Sequence, residues 1–580
     1  MPDTDSRLQD ETRPEPTPPK NRHALFWTLG AALLLNLPYL MALFAIGHLP
    51  PVAQTLVVGA IVFIVPGLPW AARAPADGVV MLFRVVLISL AAALAAWLIL
   101  LPWPGLTNRV GFILLLALVT NIGLWLHAGR LANVAAPFRS RAGAGILLVA
   151  ALFFAQTYLG AAHFVPALED QDMETQGTAY GLMHEAAPTM VTNRDTTYFF
   201  AHPLLLHFWI GESAFISDDL DRLRYHHDAA RTLERGPALL AQWELNFERF
   251  ESDPVLLPTR TPNIFLSVFT IIAMSFLVLR LTGSGVAAIG AALLYMTLPE
   301  IYVRSSYGGY LAITNFLLIV GAYFYLDAAR LFPTRAGASP RKTVGPWGFT
   351  AAFLGGWADQ KAVLLPMAAP VHAGLRILLD GKLSLKQGFA AMVARVWTSR
   401  DFINASMIVF GFVAGWLLFV VYGLAIAPDD FIADHIKGHI AARLRNPTDA
   451  LQAAITQIDW YPSIAGLWLE FANHTGWLVS FLMVIAAAWT APRIRDAEGF
   501  FLIWALIGAI GFSLVDWRQT KHLAHILPAL VILVPLFWVR LGERLRLAVG
   551  AVVALAILLN AWRIIGVMQD FTTLQPTPIW

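Results

Sequence analysis

Apolar residues in this chain come in long unbroken runs instead of alternating with polar ones. The first, from about Ala24 to Ile46, is long enough to cross a bilayer, and runs of similar length recur to the C-terminus. Together they predict about fifteen helices, near residues 24–47, 52–71, 79–102, 110–128, 143–163, 262–281, 285–302, 309–328, 346–358, 361–379, 402–426, 464–489, 499–515, 522–540 and 547–565. The fold class is an all-α polytopic membrane protein. Only the stretch 163–260 is polar and long enough to carry structure of its own outside the bilayer.

Composition agrees: of 580 residues, 57% are hydrophobic and 13% charged, and the net charge of +2 singles out no class of partner. There is no cysteine, which excludes disulfides, thiol chemistry and cysteine-bound zinc. Residues 1–23 are polar and proline-rich and read as a disordered tail. The first apolar run follows Lys20, Arg22 and His23, is too long for a signal-peptide core, and should remain as an anchor.

Charge placement orients the helices. With a cytoplasmic tail, Arg130, Arg139, Arg141, Arg335, Arg341, Lys342, Lys382, Lys386, Arg395, Arg400, Arg493, Arg495, Arg540, Arg544 and Arg546 all fall on the inner side. Residues 163–260, 428–462 and 516–522 then face out. A few cations break the pattern at outward helix ends: Arg304 in YVRSSYGGY, Lys361 in WADQKAVLLP, and Arg518, Lys521 and His522 in DWRQTKHLAHILP. A charge placed there needs a partner or a function, and together these residues would form an interfacial anion site. Other readings are open: Lys521 as a snorkelling helix-end residue, Arg518 paired with Asp516, and His522 and His525 as packed rings.

The acidic counterpart is HFVPALEDQDMETQGTAYGLM, where Glu169, Asp170, Asp172 and Glu174 precede Tyr180 and Met183. This pattern suggests a short amphipathic helix lying on the membrane. A carboxylate held there could act as a general base, a contribution of roughly 10²- to 10⁴-fold in rate. A solvated acidic loop fits these residues equally well. Tyr198 and His202, ahead of Pro203, would line an acceptor side.

These segments resemble the GT-C membrane glycosyltransferases of the protein mannosyltransferase and aminoarabinose transferase type. That family carries Asp-Glu in its first outer loop, then an Ala and a Met, then an aromatic run leading to Pro-Pro-Leu. Here Asp172, Ala179 and Met183 stand in register and YFFAHPLLLHFWIG follows. RTPNIFLSVFTIIAMSFLVLRLTGSGVAAIGAALLYMTLPEIYVRSS resembles the next two helices, GGWADQKAVLLP the family's Lys-Gly segment, and TKHLAHILPAL the Lys-rich start of a late helix. The chain departs from the family at Met173, where the Glu of the pair is usual, at the single Pro203, and in the charged insertion SDDLDRLRYHHDAARTLERGPALLAQWELNFERF.

The resemblance implies a tail over 1–23, additional helices over 24–142, a GT-C-like catalytic membrane domain over 143–541 with its large outer loop at 163–260, and a C-terminal helix and tail over 542–580. It further implies an inverting sugar transfer from a polyprenyl-phosphate donor to an envelope glycan, lipid or protein, on the periplasmic face of a bacterial inner membrane. Asp172 would be the base, with Asp170 its rival; Arg518, Lys521, His522, Lys361 and Arg304 would hold the lipid phosphate; and Glu169, Glu174, Tyr198 and His202 would belong to the acceptor side or loop. No cofactor and no nucleic acid is called for. A divalent metal would be compatible but not required, because the leaving group is a monophosphate. The competing readings are a lipid or glycolipid flippase and a ligase using a lipid-diphosphate donor. The loop 428–462 would act as a lid that orders on substrate.

Overall fold

The computed structural model describes residues 22–101, 109–164, 173–188, 198, 200–220, 223, 256–333, 345–379, 389–441, 463–514 and 520–573. Its α-helices of eight residues or more, numbered in chain order, begin with α1 (Arg22–Phe44), α2 (Pro51–Phe63), α3 (Gly78–Leu100), α4 (Arg109–His127) and α5 (Arg141–His163). Next come α6 (Met173–Glu185), α7 (Leu205–Ile216), α8 (Leu256–Thr282), α9 (Gly285–Met296), α10 (Pro299–Ser306), α11 (Leu311–Ala328), α12 (Gly345–Ala358), α13 (Leu364–Leu379) and α14 (Phe389–Trp397). The last are α15 (Arg400–Ile426), α16 (Ile464–Thr475), α17 (Trp477–Thr490), α18 (Ala497–Leu514), α19 (Leu527–Val539) and α20 (Glu543–Thr573).

The helices begin where the sequence supplies caps. Asp77, Ser140, Ser284 and Ser463 each accept a hydrogen bond from the backbone N–H three residues on, and Pro51 and Pro299 occupy first helical positions. Among the described residues, ten helices are long and apolar enough to cross a membrane, or twelve when two bent pairs each count as one crossing. Two of the apolar runs are broken, and others, such as Pro51–Phe63, are too short as helices to cross alone. The run near 285–302 bends by 69° between α9 and α10, and that near 464–489 by 110° between α16 and α17. At the second bend Gly476 has φ 89°, and a Cβ there would lie 2.2 Å from Asn560 Oδ1. The freed carbonyl of Thr475 accepts from Asn560 Nδ2 at 2.8 Å.

Close packing of crossings rests on small residues, as it must where lipid removes the hydrophobic drive between helices. In the α12–α15 pair, a Cβ at Gly356 would sit 2.2 Å from Phe412 O, and one at Gly415 would sit 1.9 Å from Phe353 O. Each glycine admits the other helix's backbone. The N-terminal helices join the same core: the Phe63 ring lies 5.2 Å from Trp209 and 5.9 Å from Phe265.

The short helix expected to lie on the membrane is instead inside the fold. In α6, Gly177 to Met183 are all buried, while His184 and Glu185 are exposed. Trp97 Nε1 donates to Met183 O at 3.3 Å. Small residues Gly177, Ala179 and Gly181 leave no broad polar face to turn toward water, so α6 is clasped against α3 and α7.

Following the chain through successive crossings sorts the helix ends onto two faces. Arg141, Arg280, Arg376, Arg400, Arg493 and Arg540 terminate helices on one, here called the basic face. The ends near 163, 256, 306–311, 358–364 and 520 fall on the other.

A cationic pocket at the face opposite the basic loops

On that opposite face, helix ends far apart in sequence meet. Arg304 from α10, Lys361 from the turn before α13, and Lys521 and His525 from the start of the crossing that continues as α19 line one pocket with Gly309, Tyr310 and Leu311. Its volume is about 30 Å³, enough for one small polar group and too little for a whole sugar.

Arg304 and Lys361 are each held by a buried carboxylate. Arg304 is buried, and its Nε donates to Glu300 Oε1 at 3.0 Å, one helical turn back. The other Glu300 oxygen lies 3.2 Å from His474 Nδ1. Arg304 Nη1 is buried with no hydrogen-bond partner among the described residues. The adjoining YGGY turn is pinned from α8: Asn263 Nδ2 donates to the carbonyls of Tyr307 and Gly309, the latter at 2.6 Å. Arg260, fully buried, donates to Ala161 O and Phe164 O and lies 4.8 Å from the Tyr307 ring centre.

Asp359 lies behind Lys361. It is fully buried, accepts from Thr314 Oγ1 at 3.0 Å, and caps the following turn by accepting from Lys361 N at 3.3 Å. Lys361 Nζ lies 3.7 Å from Asp359 Oδ2, and His202 Nδ1 lies 3.8 Å from Asp359 Oδ1. Burial alone would push the Asp359 carboxyl up. Lys361, then His202, and also His525, outweigh burial and hold it well below the ordinary carboxylate range. The carboxylate therefore remains ionised and anchors Lys361.

One histidine lines the pocket and another stands beside it. His525 Nδ1 lies 3.2 Å from Asn315 Oδ1, while Asn315 Nδ2 donates to Tyr295 OH at 3.0 Å. With the amide so oriented, Nδ1 carries the His525 proton and Nε2 is the nitrogen left to serve the pocket. His202 stacks on Tyr310 with ring centres 4.2 Å apart, and Tyr310 OH is 3.1 Å from His207 Nε2. Burial, then the neighbouring His202, pushes His207 down to about 3, so this ring is neutral.

Of the residues singled out from the sequence, the fold brings Arg304, Lys361 and Lys521 to one pocket and puts His202 beside it. His522 does not line the pocket; it is buried with its ring 5.9 Å from Phe512, and His525, one turn on, takes the lining position. In TKHLAH, 521 and 525 stand four residues apart and share a helical face, while both histidine rings pack near Phe512, at 5.9 and 6.4 Å. Arg518, Glu169, Asp170 and Asp172 lie outside the described residues, as does the side chain of Glu174. Asp359 and Glu300 were missed, although each stands within four residues of a cation that had been picked out.

Tyr198 and the proposed lid meet. Tyr198 N donates to Asp430 Oδ2 at 3.1 Å, Phe200 N donates to Asp434 Oδ2 at 2.6 Å, and His435 Nδ1 lies 3.0 Å from Phe200 O. Gln360 Nε2 holds the next carbonyl, Ala201 O, at 3.0 Å. The first part of the 428–462 loop is thus docked against the backbone of Tyr198 and Phe200; residues 442–462 lie outside the described residues. Among the described residues no group of three or more His, Asp or Glu side chains is arranged to hold a metal ion.

No family model matches the chain, and no curated protein matches it. Solved structures similar to the chain include ArnT from Cupriavidus metallidurans bound to undecaprenyl phosphate, at 12% identity and TM-score 0.47 over 73% of this chain and 71% of that one. Another is the same protein in its apo state, at 12% identity and TM-score 0.46 over 70% and 61%. At that identity and overlap neither bears on the chemistry of the pocket.

Proposed function

We propose that this chain is a membrane glycosyltransferase that moves a sugar from a polyprenyl-phosphate donor to an acceptor at the face opposite the basic loops, with inversion at the anomeric carbon. The observation that carries the reading is the convergence of Arg304, Lys361 and Lys521 on one small pocket at the end of apolar crossings. A ligand with a phosphate at the interface and a tail in the bilayer meets both requirements.

In the reaction an acceptor oxygen attacks the anomeric carbon, the bond from that carbon to the phosphate oxygen breaks, and the electron pair leaves with the lipid phosphate. Negative charge grows on the phosphate as the bond lengthens. Cations already fixed there stabilise the transition state more than the ground state. Arg304 offers planar donors for two phosphate oxygens, while Lys361 and Lys521 act as point charges. The acceptor proton passes to a carboxylate of the outer loop, Asp172 or Asp170. The clustering of cations at one face, instead of along a path through the helix centres, favours transfer over transport.

The test is transfer of labelled sugar from a panel of polyprenyl-phosphate sugars to membrane extracts by purified protein. Asp172→Asn and Asp170→Asn should separate the base from its neighbour: the base variant binds donor and fails to turn over. Wild-type protein that translocates labelled lipid but transfers nothing would replace this reading with a flippase.

A further inference from the structure

A second site lies at the other end of the molecule. Three helices, α9, α19 and α20, leave an apolar groove of about 180 Å³ between them, walled by Gly290, Leu294, Pro535, Trp538, Gly550 and Ala554. Val286 at its rim is 68% exposed, so the groove opens to whatever surrounds the helices. The small residues keep it open: a Cβ added at Gly290 would meet nothing within 4 Å. Helix α20 contributes little packing of its own: Leu547, Leu558 and Trp562 on it are exposed.

Charge gathers where α19 gives way to α20, at the Trp538 end of the groove. Trp538 Nε1 donates to Arg546 O at 2.7 Å, and the Arg546 guanidinium lies 5.8 Å from the Trp538 ring while donating to Val539 O and Leu541 O. Arg544 and Arg546 are exposed, and Arg540, half exposed, pairs with the buried Glu498. Glu543 is the opposing exposed charge in this turn. The groove reaches the basic face at Trp538, about 26 Å along the crossing from Lys521 at a rise of about 1.5 Å per residue, and the arginines follow in the turn that leads into α20. The two sites are therefore separate.

We infer that this groove binds one acyl chain of an anionic phospholipid from the leaflet on the basic face, with its phosphate held by Arg544 and Arg546. Hydrocarbon is the medium that fills an apolar cleft opening into a bilayer, and the basic mouth selects an anionic head over a zwitterionic one. The occupant supplies packing that α20 lacks. It ties α20 to α9, the helix that continues into α10.

The experiment is native mass spectrometry of the full chain released from nanodiscs containing equal phosphatidylglycerol and phosphatidylcholine. Wild type should retain one phosphatidylglycerol at least five-fold over phosphatidylcholine. Gly290→Leu, whose side chain projects into the groove, should lose that adduct while retaining short-chain polyprenyl-phosphate binding at the distant pocket. Arg544→Gln with Arg546→Gln leaves the groove open and should abolish the head-group preference, which keeps the test informative if Gly290→Leu folds poorly. Equal retention of both lipids by wild type, an adduct undiminished in Gly290→Leu, or a doubled mass with no lipid, which would mean that a second copy covers the groove, would each overturn the proposal.

Discussion

Asp359→Asn should tighten binding of a polyprenyl phosphate, which is the reverse of what removing a catalytic or structural carboxylate usually does. The carboxylate stands 3.7 Å from Lys361 Nζ, a separation at which two unit charges attract by ~4–5 kcal/mol at an effective dielectric of ~20. Much of the field of Lys361 is therefore spent on Asp359. A phosphate bound against Lys361 would lie about 7 Å from that carboxylate and be repelled by it, by roughly 1–2 kcal/mol once the open mouth of the pocket is allowed for. Asparagine keeps the shape and can still accept from Lys361 N, so the perturbation is mainly one of charge. The expected result is a five- to thirty-fold lower Kd for a short-chain polyprenyl phosphate (~1–2 kcal/mol), read by calorimetry on detergent-purified protein. Unchanged or weaker binding by a variant with a normal elution profile would refute the pocket as the anion site.

The same carboxylate sets a pH signature. Burial raises it but Lys361, His202 and His525 lower it further, so its folded value is depressed; its stabilising contribution is complete above the unfolded value of ~3.9 and is lost as pH falls through the folded one. The Tm difference between wild type and Asp359→Asn should stay constant from about pH 8 to about pH 5 and narrow only below about pH 4. Lys521→Gln and Arg304→Gln should each weaken donor binding by ~10- to 100-fold, the worth of one charge-assisted contact, measured in the same titration. Glu300→Gln breaks a buried pair and should cost ~3–5 kcal/mol, seen as a lower midpoint in thermal unfolding, with donor affinity falling because Arg304 is no longer aimed. Gly476→Ala combines positive φ with a collision at Asn560 and should lower the melting temperature by an amount equivalent to ~1–3 kcal/mol, whereas Gly290→Ala, in open space, should not.

Local properties of the chain carried much of this. Bilayer thickness demands apolar runs of fixed length, and arginines gather on one side of them, so the membrane class and the position of most helices follow from residues near one another in sequence, while the two bent runs do not. Arg304, Lys361 and Lys521 stood out for the same reason, as cations at the wrong ends of their helices. Their meeting in one pocket was not legible in this way. It depends on the 69° bend that turns α10 across the bundle end, on Asn263 holding the YGGY turn, and on the turn capped by Asp359, all of which join residues distant along the chain.

The tertiary structure also decided which neighbours matter. Both His522 and His525 pack near Phe512, yet only His525 lines the pocket. The burial of α6 came from α3 and α7 closing over it, although its own sequence suggested a surface helix. Hydropathy and charge report what each segment prefers against water or lipid, and the sequence alone determined those preferences. Which helix ends touch is set by packing between segments far apart along the chain, and only the folded molecule decided that.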